Sequence, residues 1–103
     1  MLEEKEYKAF MALAKSIRAG QDVRKEHGND YRIENVVVFA CALHTAYIEL
    51  YNNWPPVKEV YASLYKLQRH GLVNVNKRGR YRSASFGLSQ KGIEYIKSLK
   101  GAK

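Results

Sequence analysis

The adjacent prolines Pro55 and Pro56 constrain this chain more than any other pair of residues. Neither has an N–H to give to a helix or strand, and each pushes the residue before it out of the α region. Asn52-Asn53-Trp54-Pro55-Pro56 is therefore a break, and the elements on either side must be built separately. Pro56 suits the first position of a following helix, where a missing N–H costs nothing. That helix is expected over 57–70, with Val57, Val60, Leu64 and Leu67 spaced to face a core. Its other side carries Lys58, Ala62, Ser63, Lys66 and Arg69, short or cationic side chains that leave a helix free to approach something anionic. Gly71 ends it, at a position where a left-handed residue is needed and glycine meets no steric penalty.

Beyond Gly71, Val73 and Val75 alternate with polar residues, and so do Ala84, Phe86 and Leu88, which predicts a β-hairpin over 73–88. Its tip, Lys77-Arg78-Gly79-Arg80-Tyr81-Arg82, is too charged to be buried and suits phosphate groups. A last helix is expected over 89–100, with Ile93, Ile96 and Leu99 on one side and Lys91, Lys97 and Lys100 on the other. Helix, turn, helix and basic hairpin in this order are the working parts of a winged helix-turn-helix. The expected class is mainly α with a small β-hairpin.

The residues before the break supply the rest of a single domain spanning 1–103. An N-terminal helix is expected within 1–19, where Phe10, Leu13, Ala14 and Ile17 recur at helical spacing and Glu3, Glu4 and Glu6 suit the positive end of the helix dipole. Gly20 is read as its end, and 20–33 as a polar loop in which His27 is simply solvated. A second helix is expected over 34–52, placing Tyr47, Leu50 and Tyr51 near the core and Glu49 outside. Its very apolar start, Val36 to Leu43, could instead be a short buried strand, since successive valines are mediocre helix formers. The helix is preferred because the apolar pattern runs on past Leu43. Trp54 is read as a core plug beside the turn, and Tyr47, Tyr51 and Trp54 as core rather than the lining of an effector pocket.

Charge is placed unevenly. Residues 1–56 hold seven Lys or Arg against eight Asp or Glu, a balance of −1, whereas residues 57–103 hold eleven against two, a balance of +9. An excess confined to the half with the helix and hairpin is the footprint expected of a nucleic-acid binder. The longest apolar run, Val36 to Leu43, is eight residues, far below the roughly 20 a membrane helix needs. One cysteine allows no internal disulfide, and the start of the chain lacks a secretory pattern, so an intracellular, cytoplasmic protein is expected. No catalytic constellation emerges. Cys41 and His44 lie one turn apart but cannot complete a zinc site by themselves, and Cys41 reads as inert packing. No cofactor or metal is expected, and no enzyme.

Val60-Tyr61-Ala62-Ser63-Leu64, then Leu67, then Gly71-Leu72-Val73 resembles the recognition-helix signature of PadR-type winged-helix transcription regulators. Phe86-Gly87-Leu88-Ser89-Gln90-Lys91-Gly92 resembles the signature that closes their wing. The resemblance covers about 54–97. His44-Thr45-Ala46-Tyr47 only loosely echoes the family's early His-Gly-Tyr-type segment, and the C-terminal helix that pairs subunits there is short here. The resemblance implies a homodimeric regulator that binds double-stranded DNA, with repression the expected outcome. The N-terminal helix or Val36–Leu43 is then the candidate pairing surface. In the corresponding docking mode the 57–70 helix lies in the major groove. Lys58 and Ser63 are then the expected base contacts, Ala62 leaves room for close approach, and Lys66 and Arg69 reach phosphates. Tyr61 packs near the turn with its hydroxyl toward a phosphate, while Lys77, Arg78, Arg80 and Arg82 hold the flanking backbone. Two other readings stay open on the sequence: an RNA-binding or ribosome-associated winged helix, and a protein-interaction module.

Overall fold

The computed structural model describes residues 2–77 and 84–101. Four helices and a three-stranded sheet follow one another as α1 (Glu4–Glu26), a 3-10 turn (Ile33–Asn35), β1 (Val38–Phe39), α2 (Ala40–Tyr51), α3 (Val57–Arg69), β2 (Val73–Lys77), β3 (Ala84–Leu88) and α4 (Gln90–Gly101). The sheet has the order β1-β3-β2, and both pairings are antiparallel. It is a mainly helical fold with a small antiparallel sheet, consistent with a winged helix. No helix among the described residues is long and apolar enough to cross a membrane.

α1 is the central post, packed against α2, α3 and the back of the sheet. Phe10, Leu13 and Ile17 form its buried stripe, and Ser16 donates to the Ala42 carbonyl of α2 at 2.9 Å. The helix does not stop at Gly20, as the sequence suggested, but runs to Glu26. A Cβ at residue 20 would lie 3.0 Å from Val36 Cγ1, so this glycine marks a close approach inside a helix rather than an end. The expected loop over 20–33 shrinks accordingly. Its remainder is organised by Asp30, whose carboxylate accepts from the Arg32 guanidinium at 3.2 and 3.1 Å and from the Asn35 amide at 2.8 Å. Gln21 and Arg24 of α1 tie the same segment down by donating to the Tyr31 and Asp30 carbonyls.

The helix expected over 34–52 is the larger correction. Only Ala40–Tyr51 is α-helical; before it comes the 3-10 turn, and Val38 and Phe39 pair with Phe86 and Ser85 of β3. The hairpin thus becomes a three-stranded sheet. Val36 and Val38 point inward and Val37 and Phe39 outward, the two-residue alternation of an extended chain. The free edge of β3 gives this β-branched run hydrogen-bond partners, and tertiary pairing overrides the pattern that favoured a helix. α2 ends on Asn52 at φ 52°, whose N–H donates to the Ile48 carbonyl at 2.7 Å. Leu50, expected in the core, is exposed there, while Tyr47 is buried and Trp54 packs edge-on to Tyr47 and His44. Cys41 is exposed, not packed.

α3 closes in two paired steps. Gly71, at φ +80°, donates to the Gln68 carbonyl at 2.9 Å, and Leu72 donates to the Leu67 carbonyl at 3.0 Å. This pair of hydrogen bonds satisfies carbonyls that would otherwise be orphaned at the helix end. The residues after the wing then fasten α4 to that same point. Ser89 accepts from the Gly92 N–H at 3.0 Å and donates to the Gly71 carbonyl, while Lys91 donates to the His70 carbonyl at 3.2 Å. Gly92 sits so close to Leu72 that any Cβ would run into the Leu72 carbonyl oxygen. Leu-Ser-x-Lys-Gly is therefore a clamp, joining the start of α4 to the end of α3.

Candidate nucleic-acid interface

α3 buries Val60, Ser63, Leu64 and Leu67. At about 100° per residue these four form a single stripe, and the opposite side is centred on Lys58, Ala62, Tyr65 and Arg69. Lys58, Ala62, Lys66 and Arg69 are all exposed. Ser63, expected at base edges, is only 7% exposed and turns toward α1 and α2 instead. It falls in the same stripe as Val60 and Leu67, so it cannot share a face with Lys58. Tyr65 lies between Ala62 and Arg69 on the outward side and is half-buried. Projecting the helix from Val60, Leu64 and Leu67 alone would have found Tyr65.

Tyr61 lies at the border of the outward side, half-buried, with its ring 5.7 Å from that of Phe86 on β3. It joins α3 to the sheet that carries the wing. Lys77 closes β2, paired with Ala84. Arg78, Arg80 and Arg82 lie outside the described residues.

The single acid of α3, Glu59, is engaged from α1. Lys5 Nζ donates to Glu59 Oε1 at 2.9 Å, and this bond with its attendant charge raises the Lys5 ammonium above its ordinary range. The outward side of α3 is left with Lys58, Lys66 and Arg69 and no competing carboxylate of its own. At the other end of the helix, His70 Nε2 lies 3.9 Å from the buried carboxylate of Glu6. The N-terminal end of α3 is thus hydrogen-bonded to α1 through Lys5 and Glu59, and the apolar stripe packs beyond it.

A solved structure has a similar fold. A transcriptional regulator from Clostridium thermocellum superposes with a TM-score of 0.60 over 99% of this chain and 87% of that one, at 10% identity. The two share a fold. No protein-family profile and no curated protein matches the chain. Among the described residues no three His, Cys, Asp or Glu side chains gather where they could hold a metal ion.

Proposed function

We propose that this chain is a sequence-specific double-stranded DNA-binding transcription regulator, a PadR-like repressor that acts as a homodimer inside the cell. The outward side of α3 carries this reading: Lys58, Lys66 and Arg69 are exposed together while Lys5 occupies the helix's one carboxylate. α3 enters the major groove, with Lys58, Ala62 and Tyr65 nearest the bases and Lys66 and Arg69 on phosphates. The wing, with Lys77, Arg78, Arg80 and Arg82, grips the flanking backbone. Most of the affinity is then electrostatic, and specificity rests on the few groups near the bases. The dimer uses the outward side of β1 and α2, where Val37, Phe39 and Ile48 are exposed. From Val36 to Pro56 the sequence has one charged residue, Glu49, so two strongly basic chains can meet there with little repulsion.

The test is fluorescence anisotropy on random-sequence duplex DNA at several salt concentrations. If Lys66, Arg69, Lys77, Arg78, Arg80 and Arg82 each neutralise a phosphate, log K falls with log salt at a slope of about −5. Absent or salt-indifferent binding would remove the DNA reading. Preference for structured RNA over duplex in direct competition would move the function to RNA.

A further inference from the structure

Between the first two turns of α1, the α2–α3 turn and the inward side of α3 lies a cavity of about 180 Å³. Two residues with hydroxyls line it, Tyr47, 4% exposed, and Ser63, 7% exposed. Neither hydroxyl has a hydrogen-bond partner among the described residues. Such an arrangement is unusual, because buried polar groups in folded proteins are nearly always matched by protein, by ordered water or by a ligand. Burial, followed by the nearby charges of Glu4 and Glu59, raises the Tyr47 phenol above its usual range, so it stays a hydrogen-bond donor at neutral pH.

The mouth carries both signs of charge. Lys5 and Glu59 meet at 2.9 Å, and beside them Lys8 stands 3.9 Å from Glu4. The second pair is too long for a hydrogen bond, so its ammonium and carboxylate keep capacity for another partner. Lys8 also hangs over the Tyr51 ring, 5.3 Å from its centre, which holds it near the cavity. At about 30 Å³ per water the space equals roughly six waters, smaller than the sites of drug-sized molecules.

We propose that this cavity binds a small zwitterion of amino-acid size, with its polar side chain against the hydroxyls of Tyr47 and Ser63 and its ammonium and carboxylate among the charged pairs at the mouth. A simple anion would leave the two glutamates facing it, and a simple cation the two lysines. A molecule carrying both charges meets each with its opposite. The occupant touches α1, the turn and α3 at once, and a ligand that draws on Glu59 competes with Lys5 for it. Occupancy therefore changes how α3 is held; the effect on operator affinity rests on the DNA-binding reading, whereas binding itself does not.

The experiment is isothermal titration calorimetry and thermal melting of the full chain, without DNA, against the twenty standard amino acids. Propionate and ethylamine serve as single-charge probes. At least one amino acid should bind and raise the melting temperature. Tyr47→Phe and Ser63→Ala should each weaken that binding about tenfold, the expected effect of losing one buried hydrogen bond. Ser63→Ala keeps the test open if Tyr47→Phe disturbs the ring packing on Trp54. A folded chain that gives neither heat nor a melting shift with any amino acid at millimolar concentration would overturn the proposal and leave the cavity to solvent. So would binding that ignores both substitutions, or propionate or ethylamine binding as tightly as the best amino acid. Because the assay contains no DNA, failure of the operator reading would leave its result intact.

Discussion

α2 and α3 are consecutive helices of 12 and 13 residues, each buried along one side, and their outward sides are opposites. α3 shows Lys58, Lys66 and Arg69 to solvent; α2 and the strand leading into it show Phe39, Cys41, Thr45 and Ile48. Burial accounts for the inward stripes of both, Leu43 and Tyr47 in α2 and Leu64 and Leu67 in α3. The outward residues are not needed for packing, so they report what each side meets. A cationic side is stable in water and gains on approach to phosphate. Phe39, 52% exposed, gains by leaving water. On the proposed function the two helices divide the surface between a polyanion and a dry contact.

The sharpest way to break the comparison is to dislodge α3 while leaving α2 in place. Gly92→Ala drives a methyl group into the Leu72 carbonyl, and neither partner is a movable side-chain end. A loss of about 3 kcal/mol or more is expected, read as a large fall in the chemical-denaturation midpoint. Gly20→Ala is the matching change under the segment that leads into α2. Its neighbour is a valine methyl that can shift, and alanine's better helix propensity offsets part of the strain, so a loss of no more than about 1 kcal/mol is expected. Equal losses would mean that the two helices are mounted alike.

Next in size is the effect on binding. Replacing Lys58, Lys66 and Arg69 together with Ala should make the salt slope for duplex DNA shallower by about 2, with little change in melting temperature. Phe39→Asp with Ile48→Asp should leave that slope alone and shift sedimentation from dimer to monomer. If the α2 pair moves the slope, or the α3 set moves the sedimentation, the division of labour fails.

The smallest effect concerns the approach to α2. Arg32, by side-chain and then backbone hydrogen bonds, and Asn35 hold the Asp30 carboxyl well below the usual carboxylate range. A carboxyl whose pKa is lowered by folding stabilises the fold above its unfolded value, about 3.9, and loses that contribution as pH falls toward the folded one. Asp30→Asn should thus lower the melting temperature slightly at neutral pH, and the gap to the unaltered chain should close below about pH 4. The group is exposed, so the gap is expected to be small. A gap that persists in acid would mean that Asp30 acts through shape rather than charge.

The elements after the prolines were the most legible, and for a local reason. The stripe Val60, Leu64, Leu67 and the stop at Gly71 lie within a few residues of one another, so propensity, capping and burial point the same way. Before the prolines the signals conflicted. Gly20 reads as a helix end until Val36 is known to press on it, and the valines of 36–38 read as helix until β3 offers an edge. Within the candidate interface, the cationic positions followed from composition, but Ser63 turns inward with the buried stripe and Tyr65, not singled out from the sequence, stands on the outward side.

What the sequence determined by itself was the break at Pro55-Pro56, the amphipathic α3, the two strands β2 and β3 and the gathering of positive charge after residue 56, whereas the expected alternation along β3 is lost because Ser85 and Gly87 are buried too. Each follows from residues close in the chain, through φ restriction, periodicity and simple charge. What only the tertiary structure decided was the strand at Val38–Phe39, the passage of α1 through Gly20, the contact of Gly92 with Leu72, and the cavity that gathers Tyr47 and Ser63. These depend on which distant segment arrives beside which. A free strand edge, a close backbone approach and a shared cavity exist only when two remote stretches are packed together.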